Sequence, residues 1–308
     1  MILSPLIVLL RHLAMKPPVL DIEQFKSAEL VDSLYVNTFT NHIERNKDLI
    51  FEPHSHNFYL CVIFTKGRGI HEIDFRSYEI KPGTVFLLKP GQTHYWQFDE
   101  HPDGVIFFHA REFYEMTFVK NDLNAFPFYY SFQNPPFVEI PQENKNVLKK
   151  FQNLYDEYIG TALYRELKIA NIINDIYIDL SRIYTSNVDL GKYFPTRYLY
   201  ILENFEQLIS TTFRTHKLPK YYADKLNITT KHLNRVLKET VNKTTHEMIS
   251  ERVILEAKRL IIQSDDLLTN ISENLGFSDY SYFSKYFKQK TGTPPMEFKQ
   301  KYYKKPFS

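Results

Sequence analysis

Between residues 218 and 298 the chain repeats itself at an offset of fifty residues, and this duplication limits what its carboxy-terminal part can fold into. Leu233-Asn234-Arg235-Val236-Leu237-Lys238 answers Phe283-Ser284-Lys285-Tyr286-Phe287-Lys288: apolar, small polar, basic, apolar, apolar, Lys in both copies. Self-similarity at a fixed period marks a duplicated unit. The match runs outward, with Asn242-Lys243-Thr244-Thr245-His246-Glu247-Met248 against Gly292-Thr293-Pro294-Pro295-Met296-Glu297-Phe298. Each copy therefore ends a helix at a residue that tolerates the left-handed conformation and starts another at once. Ahead of each stands a short helical stretch and a turn, 221–226 before Asn227-Ile228-Thr229 and 271–275 before Gly276-Phe277-Ser278. Helix, tight turn at Asn or Gly, N-capping Thr229 or Ser278, then a basic helix is a helix-turn-helix written twice.

Periodicity gives each second helix two faces. Leu233, Val236 and Leu237, like Phe283, Tyr286 and Phe287, lie three and four apart and form the expected buried stripe. Lys231, Asn234, Arg235 and Lys238 remain outward on one helix, and Tyr280, Ser281, Ser284, Lys285 and Lys288 on the other. Arg and Lys suit guanine edges, Asn suits adenine, and hydroxyls suit bases or phosphates. Lys231, Asn234, Arg235, Tyr280, Ser281, Ser284 and Lys285 are accordingly the expected base-reading residues, with Thr229, Lys238, Ser278, Lys288 and Lys290 on phosphates. A Lys-rich face on one solvated helix would carry no such meaning; two in register, each behind its own turn, do.

Charge follows the same division. Residues 195–308 hold 19 Lys and Arg against 12 Asp and Glu, a balance of +7, which leaves 19 against 24, or −5, from the chain totals of 38 and 36. The basic excess sits where phosphate contact requires it. The small net charge of +2 disfavours a general architectural DNA-binding protein. A single cysteine, Cys61, excludes an intramolecular disulfide framework and reads as a buried small apolar residue in a reducing cytoplasm. The apolar run at residues 2–10 is too short to span a bilayer. Either Met15 is the true start or an extra element precedes the fold.

The carboxy-terminal segment resembles the DNA-binding domain of the AraC/XylS family of bacterial transcription regulators. The second copy carries that signature nearly complete, from Ile271-Ser272-Glu273-Asn274-Leu275-Gly276-Phe277-Ser278 through Lys288 to Gly292-Thr293-Pro294-Pro295. Two departures, Ser272 in place of Ala and Asn242 in place of Gly, keep small or left-handed-tolerant residues.

Upstream, from about residue 39 to 110, short strands are expected at 59–65, 69–75, 84–89, 95–98 and 105–109, broken by Lys66-Gly67-Arg68-Gly69, Lys81-Pro82-Gly83 and Lys89-Pro90-Gly91. This is a barrel or double-sheet pattern. Pro53-His54-Ser55-His56, Gly67 and Pro90-Gly91-Gln92-Thr93-His94 resemble the two cupin motifs. Metal-dependent cupins use two motif-one histidines, a motif-one glutamate and a motif-two histidine. His54, His56 and His94 match, but Leu60 occupies the glutamate position and Phe98 the later motif-two Asn position. Three imidazoles with water can complete the shell of a divalent ion; the missing carboxylate speaks against it and against a cupin enzyme. His54, His56, His94 and Trp96 are expected instead to line an effector pocket, with no metal and no cofactor.

Residues 113–141 read as an aromatic, loop-rich segment packed over the barrel, and two helices follow at roughly 142–159 and 162–184. The second has a wide apolar face of Leu167, Ile172, Ile173, Ile176, Tyr177, Leu180 and Ile183, of which the part not covered by the barrel is a dimer surface. The family resemblance implies a homodimer through this segment. A linker with Gly191 and Pro195 leads to a helix at 197–212 that turns Leu199, Leu202, Phe205, Leu208 and Ile209 inward, and a long helix at 247–263 joins the two helix-turn-helix units. The expected fold is α+β and multidomain: a cupin-like effector-sensing domain at 1–141, a helical dimerisation segment and linker at 142–194, and an all-α double helix-turn-helix domain at 195–308. The expected function is that of a cytoplasmic, sequence-specific transcription regulator and not an enzyme. Its expected partners are double-stranded DNA, a small-molecule effector, a second copy of itself and RNA polymerase, with no membrane.

Overall fold

The computed structural model describes residues 17–25, 33–50, 52–118, 123, 126–130, 134–141, 144–186 and 196–303. The run at 2–10, Met15, most of the linker with Gly191 and Pro195, and the side chain of Leu199 lie outside the described residues. The chain divides into two compact units, one being Pro18–Tyr193 and the other containing Phe194–Ser308. No described helix is long and apolar enough to cross a membrane.

The first unit is built on strands β1 (Val19–Leu20), β2 (Leu34–Thr38), β3 (Ser55–His56), β4 (Tyr59–Lys66), β5 (Gly69–Ile73), β6 (Arg76–Ile80), β7 (Thr84–Leu88), β8 (His94–Phe98), β9 (Asp103–His109) and β10 (Phe137–Glu139). A five-stranded antiparallel sheet runs β10-β7-β4-β9-β2, a three-stranded one runs β6-β5-β8, and β1 pairs with β3 in parallel. The central strand β4 is apolar on both faces because both are covered. Tyr59, Cys61 and Ile63 point into one core, and Leu60, Val62 and Phe64 into the other. The first core is closed by helices α4 (Lys145–Ile159) and α5 (Arg165–Ser186), through Val147, Phe151, Leu154, Ile169, Ile173, Ile176, Tyr177 and Leu180. The second lies between the two sheets and holds Trp96, Phe39, Phe58 and Phe108.

Several expectations are corrected here. The region read as short strands from about residue 39 opens on a helix: α1 (Phe39–Ile50), kinked at Asn46, follows β2 and buries Phe39, His42 and Ile43. Their spacing of three and four is the helical signal. The expected strand at 69–75 stops at Ile73, because Asp74 and Phe75 take positive φ (48° and 68°) and turn the chain into the unexpected β6. That strand lies at a sheet edge, and its Arg76-Ser77-Tyr78-Glu79 run is too polar to read as one. Within 113–141 the structure places α2 (Arg111–Thr117), α3 (Pro127–Tyr130) and β10. On α5, Leu167 is 55% exposed and the buried face is carried by Ile169 and Ala170 instead.

The second unit is all helical: α6 (Thr196–Thr212), α7 (Pro219–Lys225), α8 (Thr230–Val241), α9 (Thr245–Gln263), α10 (Leu268–Asn274), α11 (Tyr280–Thr291) and α12 (Pro295–Tyr303). Leu202, Phe205 and Ile209 of α6 are buried, with Leu208 partly so. The 19 residues of α9 give a rod of roughly 28 Å at 1.5 Å per residue. Its start is fixed by a capping box in which the Thr244 hydroxyl accepts from the Glu247 amide while Glu247 accepts from the Thr244 amide.

Candidate functional site

The two helix-turn-helix copies are equivalent in plan and differ by one residue in the turn. In the first, Asn227 (φ 54°) supplies the left-handed position, and Thr229, two residues on, caps α8 by accepting from the His232 amide at 3.1 Å. In the second, Gly276 (φ 73°) supplies it and the cap comes three residues on, at Asp279, whose carboxylate accepts from the amides of Ser281 and Tyr282. Ser278 is therefore not the expected cap: fifty residues on from Thr229 stands Asp279, and Ser278 is an exposed residue inside a longer turn. Glycine is required at 276 for a second reason, since a Cβ there would lie 2.0 Å from the Arg214 carbonyl oxygen. Lys217 ties the two copies together by donating to the carbonyls of Arg214 and Gly276, with its ammonium 4.8 Å from the Phe277 ring centre. Burial lowers the pKa of that ammonium.

Leu233, Val236, Leu237, Phe283 and Phe287 are fully buried and Tyr286 is partly so, which leaves the opposite faces outward. Lys231, Arg235, Lys238, Ser281, Lys285, Lys288 and Lys290 are exposed; Tyr280 and Ser284 are partly buried. Asn234 is reassigned. Its Oδ1 accepts from the Thr245 amide at 3.1 Å, so the side chain ties α8 to the start of α9 with one of that oxygen's two lone pairs. Position 295 in the second copy is a proline with no N–H to donate, which explains why Ser284 faces no such demand. Lys238 Nζ lies 3.6 Å from Glu247, whose carboxyl is held at about 2 by hydrogen bonds from the Thr244 backbone and hydroxyl, so this lysine is a less free phosphate ligand than Lys288. Two exposed or half-exposed residues missed by the offset argument, His232 and Tyr282, occupy matching places on α8 and α11.

Inside the barrel, His54, His56, His94 and Trp96 come together, with two further histidines that the motifs did not indicate. Ring centres of His54 and His56 lie 4.3 and 5.1 Å from His94, His71 lies 5.1 Å from both His94 and Trp96, and His42 lies 6.5 Å from Trp96. Strand pairing explains the meeting: His71 faces Trp96 across β5 and β8, and His54 bridges His94. Backbone carbonyls of Glu52 and Phe58 accept from Nδ1 of His54 and His56, at 2.8 and 2.7 Å, so Nε2 of each carries the lone pair. His71 Nε2 and His94 Nδ1 are hydrogen-bonded to each other at 2.9 Å. Nε2 of His42, His56 and His94, Nδ1 of His71 and Nε1 of Trp96 are buried and have no hydrogen-bond partner among the described residues. Leaving each unpaired costs roughly 1–3 kcal/mol. Burial lowers every imidazole pKa, to about 3 for His42 and His56, about 4 for His54, and well below the ordinary value for His71 and His94, so the set is neutral.

The cupin metal does not fit these residues. Leu60, at the glutamate position, is 1% exposed in the apolar core, and among the described residues no three His, Cys, Asp or Glu side chains are disposed to hold an ion.

A barrel domain with a neutral polar interior, joined in one chain to two helix-turn-helix units with exposed basic faces, defines a ligand-binding transcription regulator. Comparison with known proteins agrees: an AraC-like ligand binding domain model matches residues 39–168, and a helix-turn-helix domain model matches 222–301. The transcriptional activator RhaS of Escherichia fergusonii is 21% identical over 81% of this chain and 88% of its own length. The arabinose operon regulatory protein of Escherichia coli K12 is 22% identical over 78% and 80%. Among solved structures, ToxT of Vibrio cholerae aligns with a TM-score of 0.46 at 16% identity, over 87% of this chain and 98% of that one. The chain belongs to the AraC family: it is a DNA-binding transcription regulator with an amino-terminal ligand-binding domain.

Proposed function

We propose that α8 and α11 read an operator in successive major grooves, Lys231, Arg235, Tyr280, Ser281, Ser284 and Lys285 serving base edges and Thr229, Lys238, Ser278, Lys288 and Lys290 serving phosphates. The carrying observation is the pair of helices, each set behind its own left-handed turn, with apolar stripes buried and cationic faces exposed. Arg235→Ala and Lys285→Ala each weaken the cognate site by about 1–3 kcal/mol and relax preference at one base pair, whereas Lys288→Ala weakens all sequences alike. Titration of cognate and random duplexes side by side checks this. Equal loss on both for Arg235→Ala takes that residue out of the reading set.

Residues 1–141 with the helical segment 142–194 form the sensing and dimerising part in this reading, and 195–308 the DNA-binding part. The effector meets His54, His56, His71, His94 and Trp96. Because these groups are uncharged and offer both N–H donors and nitrogen lone pairs, they suit a neutral hydrogen-bonding ligand over an anion. The dimer contact falls on the helical lobe, supported by Ile159, Leu163, Tyr164 and Leu167, each more than half exposed. The chain acts in the cytoplasm, addresses RNA polymerase from the operator, holds no metal or cofactor and catalyses no reaction; the support is its kinship with regulators and Leu60 at the acidic ligand position.

A further inference from the structure

We infer that His232 is a positioning residue for Arg235, and that Tyr198 braces it, so that the first helix after the linker sets how sharply the first reading helix discriminates its base. This rests on the reading of Arg235 given above. Arg235 Nη2 donates to His232 Nδ1 at 2.9 Å. A guanidinium has only donors, so Nδ1 is the acceptor and the imidazole proton of the neutral ring sits on Nε2. The His232 ring in turn meets Tyr198 edge-on, with centres 5.9 Å apart and planes at 75°. Tyr198 is two residues into α6, directly after the linker positions 187–195.

The physical case is preorganisation. An exposed arginine samples many rotamers, and recognising a guanine edge requires its planar fork in one of them. A hydrogen bond donated to the residue one turn back, on a ring that is itself held, removes part of that freedom before DNA arrives. The second copy lacks the device: Tyr282 and Lys285 stand at the matching positions, Tyr282 is 59% exposed and packs on Phe277, and among the described residues Lys285 makes no side-chain hydrogen bond. The two copies thus read with a guanidinium held by a hydrogen bond and an ammonium without one respectively, and the subsite under α8 is the more exacting.

The test uses the full-length protein and a site selected from a randomised duplex library, with affinity measured for all four base pairs at each position. His232→Ala lowers discrimination at the base pair read by Arg235 roughly three- to tenfold, the range of one net hydrogen bond, and leaves affinity for random DNA and preference at the α11 positions unchanged. His232→Gln, which restores a side-chain acceptor, recovers most of the loss. Tyr198→Ala gives a part of it and Tyr198→Phe none, since only the ring is used. His232→Ala adds nothing on top of Arg235→Ala. A uniform loss on all sequences, or full additivity with Arg235→Ala, overturns the proposal and makes His232 a phosphate contact through Nε2–H. If Arg235→Ala itself leaves base preference intact, the base-reading assignment fails instead, whatever His232→Ala does.

Discussion

Acidification from about pH 7 to about pH 5 unfolds the amino-terminal unit while the helix-turn-helix unit stays folded, because six buried histidines there refuse protons that the unfolded chain takes up. Burial holds His42 and His56 at about 3 and His54 and His109 at about 4, and lowers His71 and His94 well below the ordinary value. Since the folded values lie below the unfolded one, the stability these groups confer is complete above about pH 6.5 and is withdrawn as the pH falls towards the folded values. Each withdraws up to about 1.4 kcal/mol per pH unit, so six together reach an upper limit of about 12 kcal/mol at pH 5, comparable to the whole stability of a domain. The other unit responds in a lower window. Backbone hydrogen bonds lower Asp279, and the Thr244 cap holds Glu247 at about 2. Their contribution is present above the unfolded carboxylate range and is lost only below about pH 4. Trp96, the one tryptophan of the chain, lies 4.9 Å from His94 ring to ring and is 2% exposed, so its emission reports the amino-terminal unit alone. Unchanged Trp96 emission and an unchanged melting profile between pH 7 and pH 5 would falsify the buried neutral cluster.

The parts of this molecule that were legible in its sequence are those set by local rules. A left-handed Asn or Gly, a cap, and apolar residues three and four apart define α8 and α11 without any distant partner. The two-sided burial of β4 shows in the same way, as an unbroken apolar run. What escaped depends on registers that no local window contains. His71 joins His94 only because β5 pairs with β8, and His42 only because α1 lies across the barrel core. The use of Asn234 as a tie to Thr245 depends on where α9 begins relative to α8. Ser278 misled for a subtler reason: the recognition helices keep the fifty-residue offset, while the preceding helices, Pro219–Lys225 and Leu268–Asn274, are forty-nine apart, and the extra residue moves the cap to Asp279.

Glu256→Gln destabilises the helix-turn-helix unit by about 3–5 kcal/mol, the cost of removing one partner from a buried ion cluster. Glu256 sits on the connecting helix α9, and three arginines surround its carboxylate: Arg214 at 2.7 Å, Arg252 at 3.0 Å and Arg259 at 4.0 Å. Its side chain is 14% exposed, and those of Arg252 and Arg259 are 14% and 11%. Burial alone would raise its pKa, yet the charges of Arg252 and Arg259 and the hydrogen bonds from Arg214 and Arg252 outweigh that and bring it below the ordinary value. The amide isostere keeps shape and removes the negative charge that these three arginines face. Arg214 is half exposed, but Arg252 and Arg259 are not, and with Arg252 also 4.3 Å from the Phe213 ring centre these two guanidiniums have little room to turn to water. At roughly 4–8 °C per kcal/mol for a domain of this size, melting of this unit falls by more than about 10 °C. The change also reaches DNA binding, because Arg214 joins both copies: its guanidinium holds α9 through Glu256, and its carbonyl holds Lys217, which also bonds Gly276 in the second turn. Adding Arg259→Met to Glu256→Gln removes one of the three cations around the amide and recovers part of the loss. Scanning calorimetry of the two variants decides it, and a Glu256→Gln protein that melts within about 1 kcal/mol of the parent would show that the arginines find water readily and that this cluster does not hold the two reading helices in place.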